Sequence, residues 1–134
     1  MDALLIRSPF IDMILDRKKN QKRKTWEIRG SRTKKCGRIG LIQSGSGTII
    51  GVANLKGFEG PLTRNKFVAN ASKMGVKKSD LAAGLPYSSR TFAWVLSGAK
   101  RLRVPVRYKH PSGAVIWVKL SAAVSRAIER QLTR

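Results

Sequence analysis

Between Asp16 and Glu59 the chain carries a single carboxylate, Glu27, set in the alternating stretch Lys24-Thr25-Trp26-Glu27-Ile28-Arg29. Trp26 and Ile28 share one parity, and Thr25, Glu27 and Arg29 share the other. A period of two marks a strand whose successive side chains point to opposite faces. The apolar side is expected on a core and the polar side on a surface or a cleft. Lys24 and Arg29 flank Glu27, so its carboxylate is expected to be ionised and hydrogen-bonded. Two readings stay open here: a surface ion pair that orients a strand edge, or a polar cluster lining a ligand cleft.

Charge balance weighs on that choice. Lys and Arg number 28 against 7 Asp and Glu, a net charge of +21 in 134 residues. Self-repulsion on that scale opposes compaction, and a polyanionic partner relieves it. Nucleic acid is the first candidate, because neutralising phosphates releases condensed counterions. An anionic membrane surface is the second. However, no apolar run approaches the roughly 20 residues of a spanning helix. A basic amphipathic helix with a broad aromatic face is also missing, so no membrane partner is expected. Cys36 is the sole cysteine, which excludes an internal disulfide and a Cys-based zinc site. The one histidine, His110, is far from it in sequence, so Cys36 reads as an incidental loop thiol. The N-terminus shows no signal-peptide pattern, and a cytoplasmic location is the expectation. The length suits one domain over residues 1–134.

Ala3 to Ile6 reads as a short, fully buried strand. Ser8 and Pro9 suit a helix start, and Phe10, Ile11, Ile14 and Leu15 fall at helical spacing up to about Asp16. Residues 17–23 form a basic insertion with no apolar residue. After the Lys24–Arg29 strand comes a basic loop. Arg38–Gln43 and Thr48–Leu55 then form a hairpin about the turn Ser44-Gly45-Ser46-Gly47. No Gly-Lys-Ser/Thr follows that turn, so it is not a phosphate loop. Thr63 caps a helix whose stripe of Phe67, Val68, Ala71 and Met74 ends at Gly75 and reads as core packing. Arg90–Leu96 is a strand, Tyr108–Gly113 a turn, Ala114–Leu120 the last strand, and residues 121–133 a C-terminal helix capped by Ser121. Trp26, Trp94 and Trp117 read as core residues on strands. This order suits an α+β chain, a small mixed barrel with peripheral helices.

The seven acids are scattered and neither His nor Cys clusters, so no metal and no cofactor is expected. What remains is Lys, Glu and Arg chemistry with hydroxyls. Lys24 suits a phosphate or, with a depressed pKa, a proton-accepting role. Arg29 suits bidentate contact with phosphate. Glu27 can orient Lys24 or accept from an exocyclic amino group of a base. Tyr108 offers a stacking surface, with packing as its alternative, and Ser112 offers a donor to phosphate.

Lys24-x-x-Glu27-x-Arg29, following the helix-like Pro9–Asp16, resembles the signature of the activating-signal-cointegrator homology (ASCH) family, within the PUA-like β-barrels. The resemblance continues in Arg38–Ser44, Phe92–Leu96 and His110–Trp117, and spans about residues 3–119. It implies a PUA-like barrel and an association with RNA, and it places the 108–112 turn at the same cleft. Some relatives in that family are amidohydrolases acting on acylated cytidine through a Lys, a Thr and a Glu, and others are proposed ribonucleases. In the amidohydrolase pattern a hydroxyl stands three residues after the Lys. Here Glu27 occupies that place, which argues against that mechanism. The family's tight Gly-containing turn before the Lys is replaced by the basic insertion, so Lys18 or Lys19 competes for the role of Lys24.

The sequence reading is therefore RNA or single-stranded nucleic-acid binding in a basic cleft. Lys24, Glu27 and Arg29 hold a nucleotide, while Arg32, Lys34, Lys35, Arg103, Arg107 and Tyr108 contact the rest of the strand. The alternative is a metal-independent ribonuclease or nucleoside-modifying hydrolase using Lys24, Glu27 and Ser112. A ribonucleoprotein is a further setting for the binding module.

Overall fold

The computed structural model describes residues 1–18 and 21–133. Strand β1 (Asp2–Ile6) is buried on both faces. Leu4 and Ile6 enter one apolar cluster, and Ala3 and Leu5 enter another. A strand with this burial must sit inside a sheet, and β1 pairs in parallel with β3 (Gly37–Gln43) and antiparallel with β6 (Trp117–Lys119). The parallel β1–β3 pair requires a crossover. Helix α1 (Phe10–Leu15) and strand β2 (Trp26–Arg29) lie within it. β3, β4 (Thr48–Glu59) and β5 (Phe92–Arg107) are linked by antiparallel ladders, and β2 closes on β5. The resulting order is β2-β5-β4-β3-β1-β6, a mixed six-stranded sheet curled into a half-barrel. Three helices flank it: α1, α2 (Arg64–Ala69) and α3 (Ala122–Leu132).

The expected elements are present, with altered limits. β5 does not end at Leu96 but runs on to Arg107. Its second half has few buried side chains, so hydropathy alone does not reveal a strand there. What holds it is the β4 ladder, whose register shifts three times as the two strands bend together. The stripe from Phe67 to Met74 is not one helix: α2 stops at Ala69 and a 3-10 turn covers Ala71–Met74. Thr63 caps α2 as expected, accepting from the Lys66 amide at 3.2 Å. The last strand shortens to three residues, because the turn at Pro111 carries on through Ala114.

Three apolar clusters hold the fold. The main one fills the inside of the half-barrel with Ile11, Ile14, Leu41, Leu55, Trp94 and Leu96. Trp117 is only half-buried and stacks on Trp94 at 5.7 Å between ring centroids. A second cluster seats α3 through Ile128, and a third covers the outer side of β2. α3 begins as expected, with Ser121 accepting from the Val124 amide at 3.2 Å. It also shields part of β5. The Gln131 side-chain amide accepts from the Val104 N–H at 3.1 Å and donates to the Val104 carbonyl at 2.8 Å, as a neighbouring strand would.

Gln131→Ala should therefore cost about 1 kcal/mol of stability through two lost exposed hydrogen bonds. Urea denaturation checks this, and an unchanged midpoint would show that the amide does not support the β5 edge.

Candidate nucleic-acid pocket

β2 sets its apolar side in the core and its polar side in a pocket, one of the two places expected for it. Trp26 packs outward with Leu62, Phe67, Met74 and Ala93. Glu27 lies opposite Trp94 in the β2–β5 ladder, so its side chain faces the inside of the half-barrel. Lys24 is 5% exposed and Glu27 8%, values rare for charged residues without partners. Partners are present. Glu27 Oε1 lies 3.5 Å from Lys24 Nζ, and Glu27 Oε2 accepts from Arg29 Nε at 3.0 Å, with Arg29 Nη2 at 2.8 Å. Lys24 Nζ also donates to the Trp26 carbonyl, and Arg29 Nη2 to the Leu5 carbonyl at 2.8 Å. The Arg29 guanidinium lies over the Trp94 ring and the Lys24 ammonium over the Phe10 ring. This is a buried polar cluster and not the surface ion pair that the sequence also allowed.

Local backbone contacts place these groups. The Lys24 N–H donates to the Met13 carbonyl at 2.9 Å, and the Thr25 N–H to the Lys73 carbonyl at 2.8 Å. The segment entering β2 is thus pinned between α1 and the 3-10 turn. Gly75 is needed at this junction: its φ is +75°, and a Cβ there would come 2.5 Å from Met13 Cε.

The cluster forms the floor of a pocket of about 550 Å³, within the roughly 300–1,000 Å³ of small-molecule sites. Ile28, Met74 and Val76 form its wall, and Arg7, Phe10, Tyr87 and Val115 stand at its mouth. Phe10 and Tyr87 are large rings left partly in solvent. Tyr87 lies against Gly30, where a Cβ would come 2.8 Å from its ring.

The other candidate residues are elsewhere. Arg32 lies over the Phe92 ring, outside the pocket lining, and Lys34 is exposed on the same loop. Lys35 pairs with Asp2 at 3.1 Å. Arg103 lies beside α3, and Arg107 stands at the end of β5 opposite Thr48. Tyr108 and Ser112 do not line the pocket, contrary to their expected place. The His110 ring explains this: its Nδ1 meets the Tyr108 hydroxyl at 2.8 Å and its Nε2 meets the Ala114 carbonyl at 2.9 Å, so the turn folds on itself. Tyr108 then packs against the second cluster, and burial pushes its phenol above the usual 10.0. Val115 reaches the pocket from this loop instead. Lys18 lines neighbouring grooves and not this pocket, which leaves the cluster to Lys24; Lys19 lies outside the described residues.

Sequence reasoning missed Arg7, Phe10, Tyr87 and Val115. A signal existed for two of them. Four apolar residues at 10, 11, 14 and 15 exceed what one side of a six-residue helix buries, and the structure buries Ile11, Ile14 and Leu15. Tyr87 follows the breaker Gly84-Leu85-Pro86 and sits in a polar stretch, so nothing apolar beside it called for burial.

A six-stranded mixed half-barrel with flanking helices is an α+β barrel, here with a charged cluster inside. Its likeness to solved structures is more specific. The chain aligns with a crystal structure of ASCH from Zymomonas mobilis at a TM-score of 0.67 and 14% identity, covering 96% of this chain and 93% of that one. Serine-to-alanine and tyrosine-to-phenylalanine variants of the Zymomonas mobilis protein align at a TM-score of 0.65, each at 14% identity and 96% coverage of this chain; the shares of their own chains are 94% and 96%. The fold is thus that of an ASCH domain. No protein-family model and no curated protein matches the sequence.

Burial pushes the Lys24 ammonium below its ordinary 10.5, against the opposing pull of Glu27. Between that lowered value and 10.5 the unfolded chain holds a proton at Lys24 that the folded chain has released, so stability rises with pH there. Comparing urea midpoints of wild type and Lys24→Met on approach to pH 10.5 isolates this group. The wild type should gain relative to the variant as pH rises; a constant difference would contradict the buried ammonium. Glu27→Ala strands that ammonium without its partner, and about 3 kcal/mol of lost stability is expected.

Proposed function

We propose that residues 1–134 act as one domain that binds RNA or another single-stranded nucleic acid, with one unstacked nucleotide in the pocket over Lys24, Glu27 and Arg29. The observation that carries this reading is the pairing of that charged floor with two partly exposed rings, Phe10 and Tyr87, at the mouth. Rings hold a base by its face without regard to sequence. Glu27 Oε1, whose nearest cation is 3.5 Å away, keeps capacity to accept from a base amino group. The cluster itself carries two cations and one anion, and Arg7 adds a third cation at the mouth, which favours a phosphorylated guest. Arg32, Lys34, Arg103 and Arg107 are exposed and suit backbone phosphates outside the pocket. Among the described residues no helix is long and apolar enough to cross a membrane. The free thiol of Cys36 suits a reducing, cytoplasmic setting, including a ribonucleoprotein.

Fluorescence anisotropy with short single-stranded RNA tests this. The logarithm of affinity should fall linearly with the logarithm of salt concentration. Tyr87→Ala should weaken binding by about 1–3 kcal/mol, the worth of one stacked base. Affinity that ignores salt, or is the same without the Tyr87 ring, would remove the proposal.

A second reading has one observation of its own, the lowered pKa of Lys24, which suits a proton acceptor near a ribose hydroxyl. As a metal-independent hydrolase the protein would cleave RNA in EDTA and lose that activity in Lys24→Ala. Ser112, outside the pocket lining, has no part in this version.

A further inference from the structure

We propose that the nucleotide pocket is one end of a longer groove, and that the groove's other end binds successive phosphates of the same single strand. This rests on the reading of the pocket as a nucleotide site and adds the path that the rest of the strand takes from it. Val76, in the pocket wall, also lines a second cavity of about 520 Å³ between α1 and the 3-10 turn. That cavity shares Lys18, Lys22 and Ser72 with a third, of about 650 Å³. The three concavities therefore adjoin in sequence around one side of the molecule.

The third cavity is lined by Arg17, Lys18, Lys22, Arg23 and Lys73, with no carboxylate among its lining residues. Thr25 and Ser72 add hydroxyl donors. Two of the cations are held in place. Arg23 Nη1 donates to the Ala99 carbonyl at 2.7 Å, and Lys73 Nζ lies 5.1 Å from the centroid of the Trp26 ring.

The middle cavity does carry Asp16 and Asp80, yet both are engaged. Arg101 donates to the two Asp16 oxygens at 2.9 and 2.8 Å, and Asp80 accepts from the Lys77 N–H at 3.0 Å. Lys18, Lys22 and Lys77 stand around them, so a phosphodiester passing there meets a net positive surface. A base unstacked into the pocket requires a strand that is single there, and the groove gives its neighbours a path.

The test compares a set of nucleoside monophosphates with a six-nucleotide uridine RNA on wild type, Tyr87→Ala and the double variant Lys22→Gln, Lys73→Gln. Both lysines are exposed, and a thermal melt verifies folding. Wild type should bind the hexanucleotide more tightly than any monophosphate. The double variant should leave monophosphate affinity unchanged and weaken the hexanucleotide about tenfold. Its slope of log affinity against log salt should fall by about 1.4, the value for two lost phosphate contacts on a single strand. Equal hexanucleotide affinity in wild type and double variant, with Tyr87-dependent monophosphate binding intact, would overturn the groove and keep the pocket. Hexanucleotide binding that needs the two lysines but ignores Tyr87→Ala would sink the pocket reading, and the continuous groove with it.

Discussion

The side chain of Arg29 joins two strands that no backbone ladder connects. β2 is the first strand of the sheet and β1 the fifth, and the curl of the half-barrel brings them face to face. β6 pairs with β1 only from Asp2 to Leu4, so the Leu5 carbonyl remains available for a bond across the seam. Arg29 fills that place, with Glu27 fixing the other side of its guanidinium. A planar fork reaches two acceptors in fixed directions; a lysine ammonium would not hold this geometry. The pocket exists because the seam is closed by side chains and not by strand pairing.

Such a cluster is expensive to bury, and replacing it by apolar residues would often cost nothing in stability. The proposed function gives a reason for its presence inside an otherwise apolar half-barrel. Glu27 balances one of its two cations, so the floor stays positive. The same carboxylate fixes where that charge sits. Phe10 and Trp94 rings add the faces of two quadrupoles to the ammonium and guanidinium, holding both cations in register without neutralising them.

Much of this was legible in the sequence, and the reasons differ from place to place. The β2 alternation and the isolation of Glu27 pointed to a paired carboxylate, because both signals are local. The α+β barrel followed from element order and from a resemblance carried by Lys24, Glu27 and Arg29. Which strand closes over the polar face of β2 was not legible. Seeing it requires knowing that β1 lies across the seam, a fact of tertiary closure. The length of β5 was hidden for a similar reason, since its polar second half is held by the β4 ladder and not by its own hydropathy. Tyr108 and Ser112 were misplaced because their turn is aimed by the His110 ring, whose two contacts only coordinates reveal.

The distribution of acids gives the strongest reason to connect the pocket with the basic surface. Six of the seven carboxylates form ion pairs: Asp2, Asp12, Asp16, Glu27, Glu59 and Glu129. Asp12 and Asp16 both hold Arg101, so these seven groups neutralise few of the 28 cations. Surface pairs of this kind add little stability, and the remaining charge works against folding. Phosphates along a strand relieve that repulsion wherever they lie, but they carry no information about which base is present. A buried carboxylate under two rings can supply that information, at one position. On the proposed function, charge spread over the surface and a single enclosed polar floor would divide the work of recognition, affinity to the first and choice of base to the second.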